Sequence, residues 1–320
     1  MRKSLIYIYI FCVLVFIVFH HSSVTAQQRQ IPDTAQIQVV MSKDRPEYRE
    51  ALEGFKDALN QANVRYNISI ELLGNNNFDF RIIDRIMEQK PDLILAVGTN
   101  AAINLSTYIK DIPIVVSMVL NPYLNNSTRS NNLAGVYLSI PAEIQFDILK
   151  GIIPDIKRLG VLYSPEENLE LIREAQKAAN KYNIDLISVE VNNEREVPRR
   201  LENLIRFVDA IWMVVDYEVT SIESRKYIIN EGLKKNIPVI GFAEYTVSAG
   251  AALALACSDF KSVGSQAGRM SIRILQGNEQ DEFHYEHPEN IILYVNERIA
   301  KDIGLEIPES IKKLIKVIYK

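Results

Sequence analysis

From residue 32 onward the chain alternates between short β-branched apolar runs and segments of roughly ten to fifteen residues whose apolar positions recur at helical spacing. Residues 37–41 (IQVVM) predict a first strand, and residues 48–60 a helix with Leu52, Phe55 and Leu59 on one face. Strands follow at 68–72, 93–97 and 114–116, separated by helices at 80–88 and 101–109. This alternation predicts βαβ units on a parallel sheet, with five alternations fitting before residue 140.

A second series begins at Arg158-Leu159-Gly160-Val161-Leu162-Tyr163 and runs through strands 186–191, 210–215 and 238–240, with helices at 169–181, 197–206 and 221–235. The two series match in order and spacing, so the expected fold is α/β, two similar doubly wound parallel-sheet lobes with a central cleft. Residues 259–275 then predict a helix ended by Gly277, followed by a charged stretch (278–287), a strand at 291–295 and a terminal helical region whose last helix begins at Pro308.

In open parallel sheets ligands sit beyond the carboxyl ends of the strands, where loops meet helix N-termini. The loops in question are 42–48, 98–101, 117–122, 164–168, 216–220 and 242–250, and all six carry polar residues. Gly98-Thr99-Asn100-Ala101 leaves a buried strand and opens a helix, so its N–H groups and the Thr99 hydroxyl suit a carboxylate; ordinary helix capping uses the same residues. Ser164-Pro165-Glu166-Glu167-Asn168 offers either a polar ligand contact or a capping box. Asp216, at the end of a strand, suits a ligand ammonium or a cap for the helix beginning near Ser221. Tyr48, Tyr123, Tyr163, Trp212, Tyr217, Phe242 and Tyr245 place aromatic rings near strand ends, where they serve a planar solute or simply the core.

Length adds that 320 residues exceed what one core usually organises. A composition of 48% hydrophobic and 24% charged residues belongs to a globular chain. Residues 1–26 stand apart: Arg2 and Lys3, then an apolar run, then Val24-Thr25-Ala26, the pattern of a secretory signal peptide cleaved after Ala26. The alternative, an uncleaved anchor, needs about 20 apolar residues, more than this run supplies. Without this segment 34 basic face 40 acidic side chains, a net of −6, which argues against nucleic acid as a partner. The expected location is the periplasm. Cys12 leaves with the signal and lies too deep in it for lipid attachment, so Cys257 is the single thiol of the mature chain, in an apolar context that favours an inert buried group.

Catalytic and metal chemistry find little support. The sequence has no G-x-S-x-G, P-loop, H-E-x-x-H or G-x-G-x-x-G pattern. After the signal only His284 and His287 remain; their i, i+3 spacing suits a metal on a helix, but Pro288 follows and no third ligand is in view. The expectation is a non-enzyme with no cofactor and no metal.

The order and spacing of several segments carry a resemblance. They are Glu53-Gly54-Phe55-Lys56-Asp57-Ala58-Leu59, Lys90-Pro91-Asp92-Leu93 with Gly98-Thr99, Asp111-Ile112-Pro113, Leu159-Gly160-Val161-Leu162-Tyr163-Ser164-Pro165-Glu166, Val208-Asp209-Ala210-Ile211-Trp212 with Asp216, Ile237-Pro238, Gly250-Ala251-Ala252, Gly264-Ser265-Gln266-Ala267-Gly268, and Val295-Asn296 through Ala300, Gly304 and Ile307-Pro308. Together they resemble the ABC transporter substrate-binding proteins of the tryptophan/tyrosine-binding type, which have the type I periplasmic binding fold.

The resemblance implies two lobes joined by three crossovers, with residues 32–139 plus 258–287 as one lobe and 140–257 plus 288–320 as the other. It implies a small-molecule ligand held by Ser42, Thr99, Asn100, Ser117, Ser164, Asn168, Asp216 and Glu244, and a membrane permease as partner. In amino-acid-binding relatives the Thr99 position holds a carboxylate and the Asp216 position an amine. This chain departs from the usual pattern at Asn100, Asn121-Pro122 and Tyr217. The expected function is therefore the solute-binding component of an ABC uptake transporter, taking a small zwitterionic or carboxylate solute such as an aromatic or branched amino acid. A periplasmic sensor that presents its closed form to a membrane kinase or chemoreceptor is the alternative output of the same fold.

Overall fold

The computed structural model describes residues 32–73, 79–120, 132–216, 218–257, 259–277 and 285–319. The expected signal peptide at 1–26, together with Tyr123, Tyr217, His284 and Asn121-Pro122, lies outside the described residues. Among the described residues no helix is long and apolar enough to cross a membrane.

The first sheet contains β1 (Ala35–Met41), β2 (Tyr66–Leu72), β3 (Leu93–Val97), β4 (Ile114–Val119), β5 (Leu133–Tyr137) and β11 (Tyr285–Glu286) in the spatial order β11-β5-β4-β3-β1-β2. Every pairing in it is parallel. Successive residues of β3 go to opposite faces: Leu93, Leu95 and Val97 join one core, Ile94 and Ala96 the other. All five are buried, which explains a run with no polar interruption. One face is covered by α1 (Pro46–Gln61) and α9 (Phe260–Leu275), the other by α2 (Arg81–Gln89) and α3 (Thr99–Tyr108).

The second sheet orders β13-β12-β10-β9-β8-β6-β7. Its strands are β6 (Arg158–Tyr163), β7 (Asp185–Glu190), β8 (Ala210–Trp212), β9 (Val239–Gly241), β10 (Leu253–Ala256), β12 (Ile292–Asn296) and β13 (Ile315–Tyr319). Among the described residues only the β10–β12 pairing of this sheet is antiparallel. The helices α4 (Ala142–Ile152) and α5 (Pro165–Lys181) cover one face, and α6 (Val197–Leu204) and α7 (Ile222–Lys234) the other. Shorter helices α8 (Glu244–Ser248), α10 (Glu297–Asp302) and α11 (Glu309–Lys312) and a 3-10 turn (Glu194–Glu196) are the remaining described elements. The expected fold, two doubly wound α/β lobes, is the one observed.

Three departures have physical reasons. The terminal region expected as helix contains α10, but the last helix expected from Pro308 is only the single turn α11, followed by the strand β13, which adds in parallel to β12. A short apolar run after a helix gives no usable period, so tertiary pairing decided it. Residues 285–286, expected within a charged loop, form the edge strand β11 against Gly135 and Val136. Residues 253–256 form a central strand, β10, where the alanine-rich sequence showed no β-branched signal.

The two lobes repeat a fastening. Asp92, at the start of β3, accepts the N–H of Gln36 at 2.7 Å and gives its own N–H to the carbonyl of Gln36. Asp209, at the start of β8, accepts the N–H groups of Lys157 and Arg158 at 3.0 and 2.8 Å and returns its N–H to the carbonyl of Arg158. Each carboxylate thus pins the entry of the strand alongside which its own strand runs.

The chain passes between the sheets three times: from β5 to α4, from β10 to α9, and from β11 to β12. His287 Nδ1 lies 3.0 Å from the carbonyl oxygen of Ser139, tying the third passage to the first. The helix α9 returns into the first lobe and lies directly on α1. A side-chain carbon on Gly264 would fall 1.7 Å from the carbonyl oxygen of Ala51, and one on Gly54 1.9 Å from that of Lys261. Small residues at these positions are what let the two helices touch backbone to backbone.

Candidate functional site

In the first sheet the chain moves from β1 outward to β2, then crosses back to β3 on the other side. The loops after β1 and β3 therefore part from each other and leave a crevice at the strand tips. The same reversal occurs at β6 and β8 in the second sheet.

At the first crevice, Ser42 follows β1 and its N–H bonds to the carbonyl of Val97 at 2.8 Å. Its Oγ accepts the N–H of Ala101 at 2.9 Å, so a residue from a different loop caps α3. Gly98, the N-cap position itself, has φ +90°, and a Cβ there would lie 2.6 Å from Tyr48 Oη and 2.8 Å from Ser42 Oγ. Glycine is required both by its backbone and by its neighbours. Among the described residues no acceptor takes the N–H of Thr99 or Asn100, and those two residues line the large cavity.

Met118 stands at φ +60° and is buried, in a bulge where the β4–β5 pairing slips between Val116 and Val119. A left-handed methionine costs on the order of 1 kcal/mol or more and is characteristic of ligand-contacting backbone. It too lines the cavity.

That cavity measures about 630 Å³ and lies between the sheets. The first lobe contributes Ser42, Lys43, Arg45, Glu47, Tyr48, Thr99 and Asn100, with Met118 and Leu120 behind. The second contributes Ala243 just before α8, Glu244 and Tyr245 from its first turn, and Tyr294 from β12. Leu138 and Cys257 come from two of the crossovers. A cavity that takes its walls from both sheets and its floor from the crossovers changes shape whenever the lobes rotate.

Its electrostatics are divided. Lys43, Arg45 and the N-terminus of α3 make one wall favourable to an anion. Glu47 and Glu244 supply negative charge to the same space, and Glu47 Oε2 is buried with no hydrogen-bond partner among the described residues. Tyr245 meets Phe242 edge-on at 5.8 Å, and the Arg225 guanidinium lies 4.7 Å from its ring centre. Burial pushes the Tyr245 phenol up, against the opposing pull of Arg225. Burial likewise pushes the Cys257 thiol up to about 11, only partly offset by the N–H of Asp259, so it stays protonated at neutral pH.

Of the eight residues expected to contact a ligand, Ser42, Thr99, Asn100 and Glu244 line this cavity. Asn168 lines a smaller one beneath it. Ser117 is buried one step behind, holding the N–H of Gly98 with its carbonyl at 2.8 Å, while its Oγ has no partner among the described residues. Ser164 occupies the N-cap position of α5 but its side chain caps nothing, and its Oγ is likewise buried without a partner.

Asp216 differs most from expectation. It is 2% exposed and lines neither cavity. One carboxylate oxygen accepts from Ser164 N–H and Asn168 Nδ2 at 2.7 and 2.9 Å, the other from the N–H groups of Glu218 and Val219 at 3.0 and 2.9 Å. With four donors from its own lobe it organises the second crevice, and an ammonium approaching it would have to displace them. Nor does it cap α7, which is capped by Ser221 through the N–H of Ser224. Sequence reasoning missed Lys43, Arg45, Glu47 and Met118 as individual contacts, though Met118 lies in the expected loop 117–122, and missed Phe260 and Tyr294 altogether. The loop 42–48 was the only signal for the first three.

A protein-family model described as ABC transporter substrate binding protein matches residues 36–317. The chain belongs to this family, which binds solutes and does not catalyse reactions. A protein named tyrosine-binding protein from Clostridioides difficile is 25% identical over 279 residues, spanning 82% of this chain and 79% of the relative. Among solved structures, a ligand-free, open substrate binding protein with adhesive properties from Clostridium difficile superposes with a TM-score of 0.69 at 22% identity, over 89% of this chain and 99% of the other. An ABC domain in complex with L-Trp from Streptococcus pneumonia superposes with a TM-score of 0.61 at 21% identity, over the same shares. These likenesses show the type I periplasmic binding protein fold. Substrate-binding proteins of this family take small-molecule ligands, work with ABC permeases and are typically extracytoplasmic.

Proposed function

We propose that this chain is the periplasmic receptor of an ABC uptake transporter, exported through the cleaved segment 1–26, and that it carries a small zwitterionic or carboxylate solute, an aromatic or branched amino acid, to a membrane permease. The observation that carries this reading is the cavity of about 630 Å³ between the lobes, with unclaimed N–H groups of Thr99 and Asn100 on one wall and Glu244 on another. A carboxylate belongs at the helix N-terminus beside Lys43 and Arg45, and an ammonium belongs toward Glu47 and Glu244. The names of the relatives, one a tyrosine-binding protein and one solved with L-Trp, support an amino acid over a sugar.

Closure follows from differential contact. An open molecule holds the solute on one wall, a closed one on both, and only that difference shifts the equilibrium. In the proposed site Ser42 and Ser117 position the tip of α3, while Ser164, Asn168 and Asp216 hold the opposing loops in shape.

Isothermal titration calorimetry against amino acids and their carboxamides tests the reading. Amino acids bind and the carboxamides, lacking the anion, bind at least about tenfold more weakly. Asn100→Asp, which puts a negative charge at the helix N-terminus, weakens the amino acid by a similar factor. Carboxamides that bind as tightly as the acids, or a panel without any binder, refute it.

A further inference from the structure

Beneath the large cavity lies a second one of about 80 Å³, and the two share Leu120, Leu138 and Ala256. Its inner walls are Ile140, Leu171, Trp212, Val214 and Leu255. Three polar side chains border it, Ser139, Gln145 and Asn168, and the last two are engaged within the protein. Gln145 accepts the indole N–H of Trp212 at 2.9 Å and donates to the carbonyl of Ile140 at 2.7 Å. Asn168 donates to Asp216 and to the carbonyl of Val215. The pocket therefore offers a guest mainly apolar contact, and through the residues the two cavities share it adjoins the space where the charged ends of a solute would sit.

Its size discriminates. An apolar cavity of about 150 Å³ is known to hold benzene, six carbon atoms; in proportion, a space of about half that volume holds three or four. We infer that this pocket receives the side chain of the solute and selects a branched aliphatic group of three or four carbons, so that the preferred ligands are branched-chain amino acids or their close carboxylate analogues rather than aromatic ones. The inference rests on the amino-acid reading above and narrows it.

Position makes the pocket a gate on specificity. Leu138 and Ile140 belong to the first crossover and Ala256 ends β10, where the second begins, so the guest would touch the segments about which the lobes turn. A side chain that fits leaves the crossovers undisturbed and adds apolar contact. An aromatic ring would have to spread them.

The test compares valine, leucine and isoleucine with phenylalanine, tyrosine and tryptophan by calorimetry, on the wild-type protein and on Leu171→Phe and Leu171→Ala. Leu171 is only partly buried on α5, so both replacements are compatible with folding, which thermal unfolding of the ligand-free variants checks. Branched-chain ligands are expected to bind at least about tenfold more tightly than aromatic ones. Leu171→Phe should erase that preference by filling the pocket, and Leu171→Ala should admit phenylalanine. Trp212 is the single tryptophan of the chain and borders the pocket, so its emission should respond to leucine in the wild type. Tighter binding of an aromatic amino acid to the wild type, or a preference unmoved by both variants, overturns the inference and leaves the receptor reading standing. Should neither class bind, the receptor reading falls and this inference with it. If Leu171→Phe does not fold, the wild-type ranking and Leu171→Ala decide.

Discussion

The hydroxyl of Ser42 accepts the N–H of Ala101 at 2.9 Å, joining the tip of the first strand to the helix that opens beyond the third. The donor is one of the orphan N–H groups every helix start carries, and the acceptor is brought 59 residues along the chain to meet it. Capping from another loop leaves the N–H groups of Thr99 and Asn100, two residues that line the cavity, without an acceptor among the described residues. Ser42→Ala should therefore cost about 1 kcal/mol of stability in denaturant unfolding. It should also weaken solute binding several-fold, because the anion-binding end of α3 is then held less firmly. A variant that loses stability with no change in affinity would show that the cap is structural only.

The contact between α1 and α9 makes a sharper statement. Because a methyl on Gly264 would lie 1.7 Å from the carbonyl of Ala51, Gly264→Ala must push the two helices apart and should lower stability by about 3 kcal/mol or more. Gly304→Ala is the control: Gly304 has φ +72° but nothing within 4 Å, so it should cost only about 1 kcal/mol, from backbone strain alone. Urea midpoints for the two variants measure the difference. Equal losses would mean that the helices do not meet at Gly264 as described.

Cys257 provides a pH test of the cavity floor. Its thiol is pushed up to about 11 by burial, and the thiolate is the reacting form. Alkylation by iodoacetamide should be slow at pH 8 and rise steeply as pH passes 10 toward 11. For stability the sign is the same: an unfolded thiol ionises near 9, so the folded state loses ground as pH rises from there through 11 and is unaffected below. Because Cys257 lines the large cavity, bound solute should slow its alkylation further. Rapid modification at pH 8 would place the residue on an open surface.

Much of the architecture could be read before folding. Strands β3 and β6 match their expected limits because their flanks, Pro91-Asp92 and Lys157 on one side and Gly98 and Ser164-Pro165 on the other, break the apolar run cleanly. The loops beyond strand tips were legible for the same reason. Chemistry at those loops was legible only in part. A carboxylate after a strand looks identical whether it faces a solute or its own loop, and Asp216 turned inward, where four N–H donors converge. The bulge that holds Met118 at positive φ has no glycine to announce it. Tyr294 and Phe260 reach the cavity from β12 and α9, elements that enter it only because the chain crosses between lobes three times, a long-range relation that local pattern does not encode.

The proposed receptor function requires a solute enclosed by both lobes. A crystal structure of the protein with its tightest-binding amino acid measures this directly: the carboxylate should lie within hydrogen-bonding distance of the Thr99 and Asn100 N–H groups, with Glu244 or Tyr245 of the other lobe on the opposite side. A solute bound on one outer face, or in the cavity but touching only one lobe in a closed molecule, would contradict it.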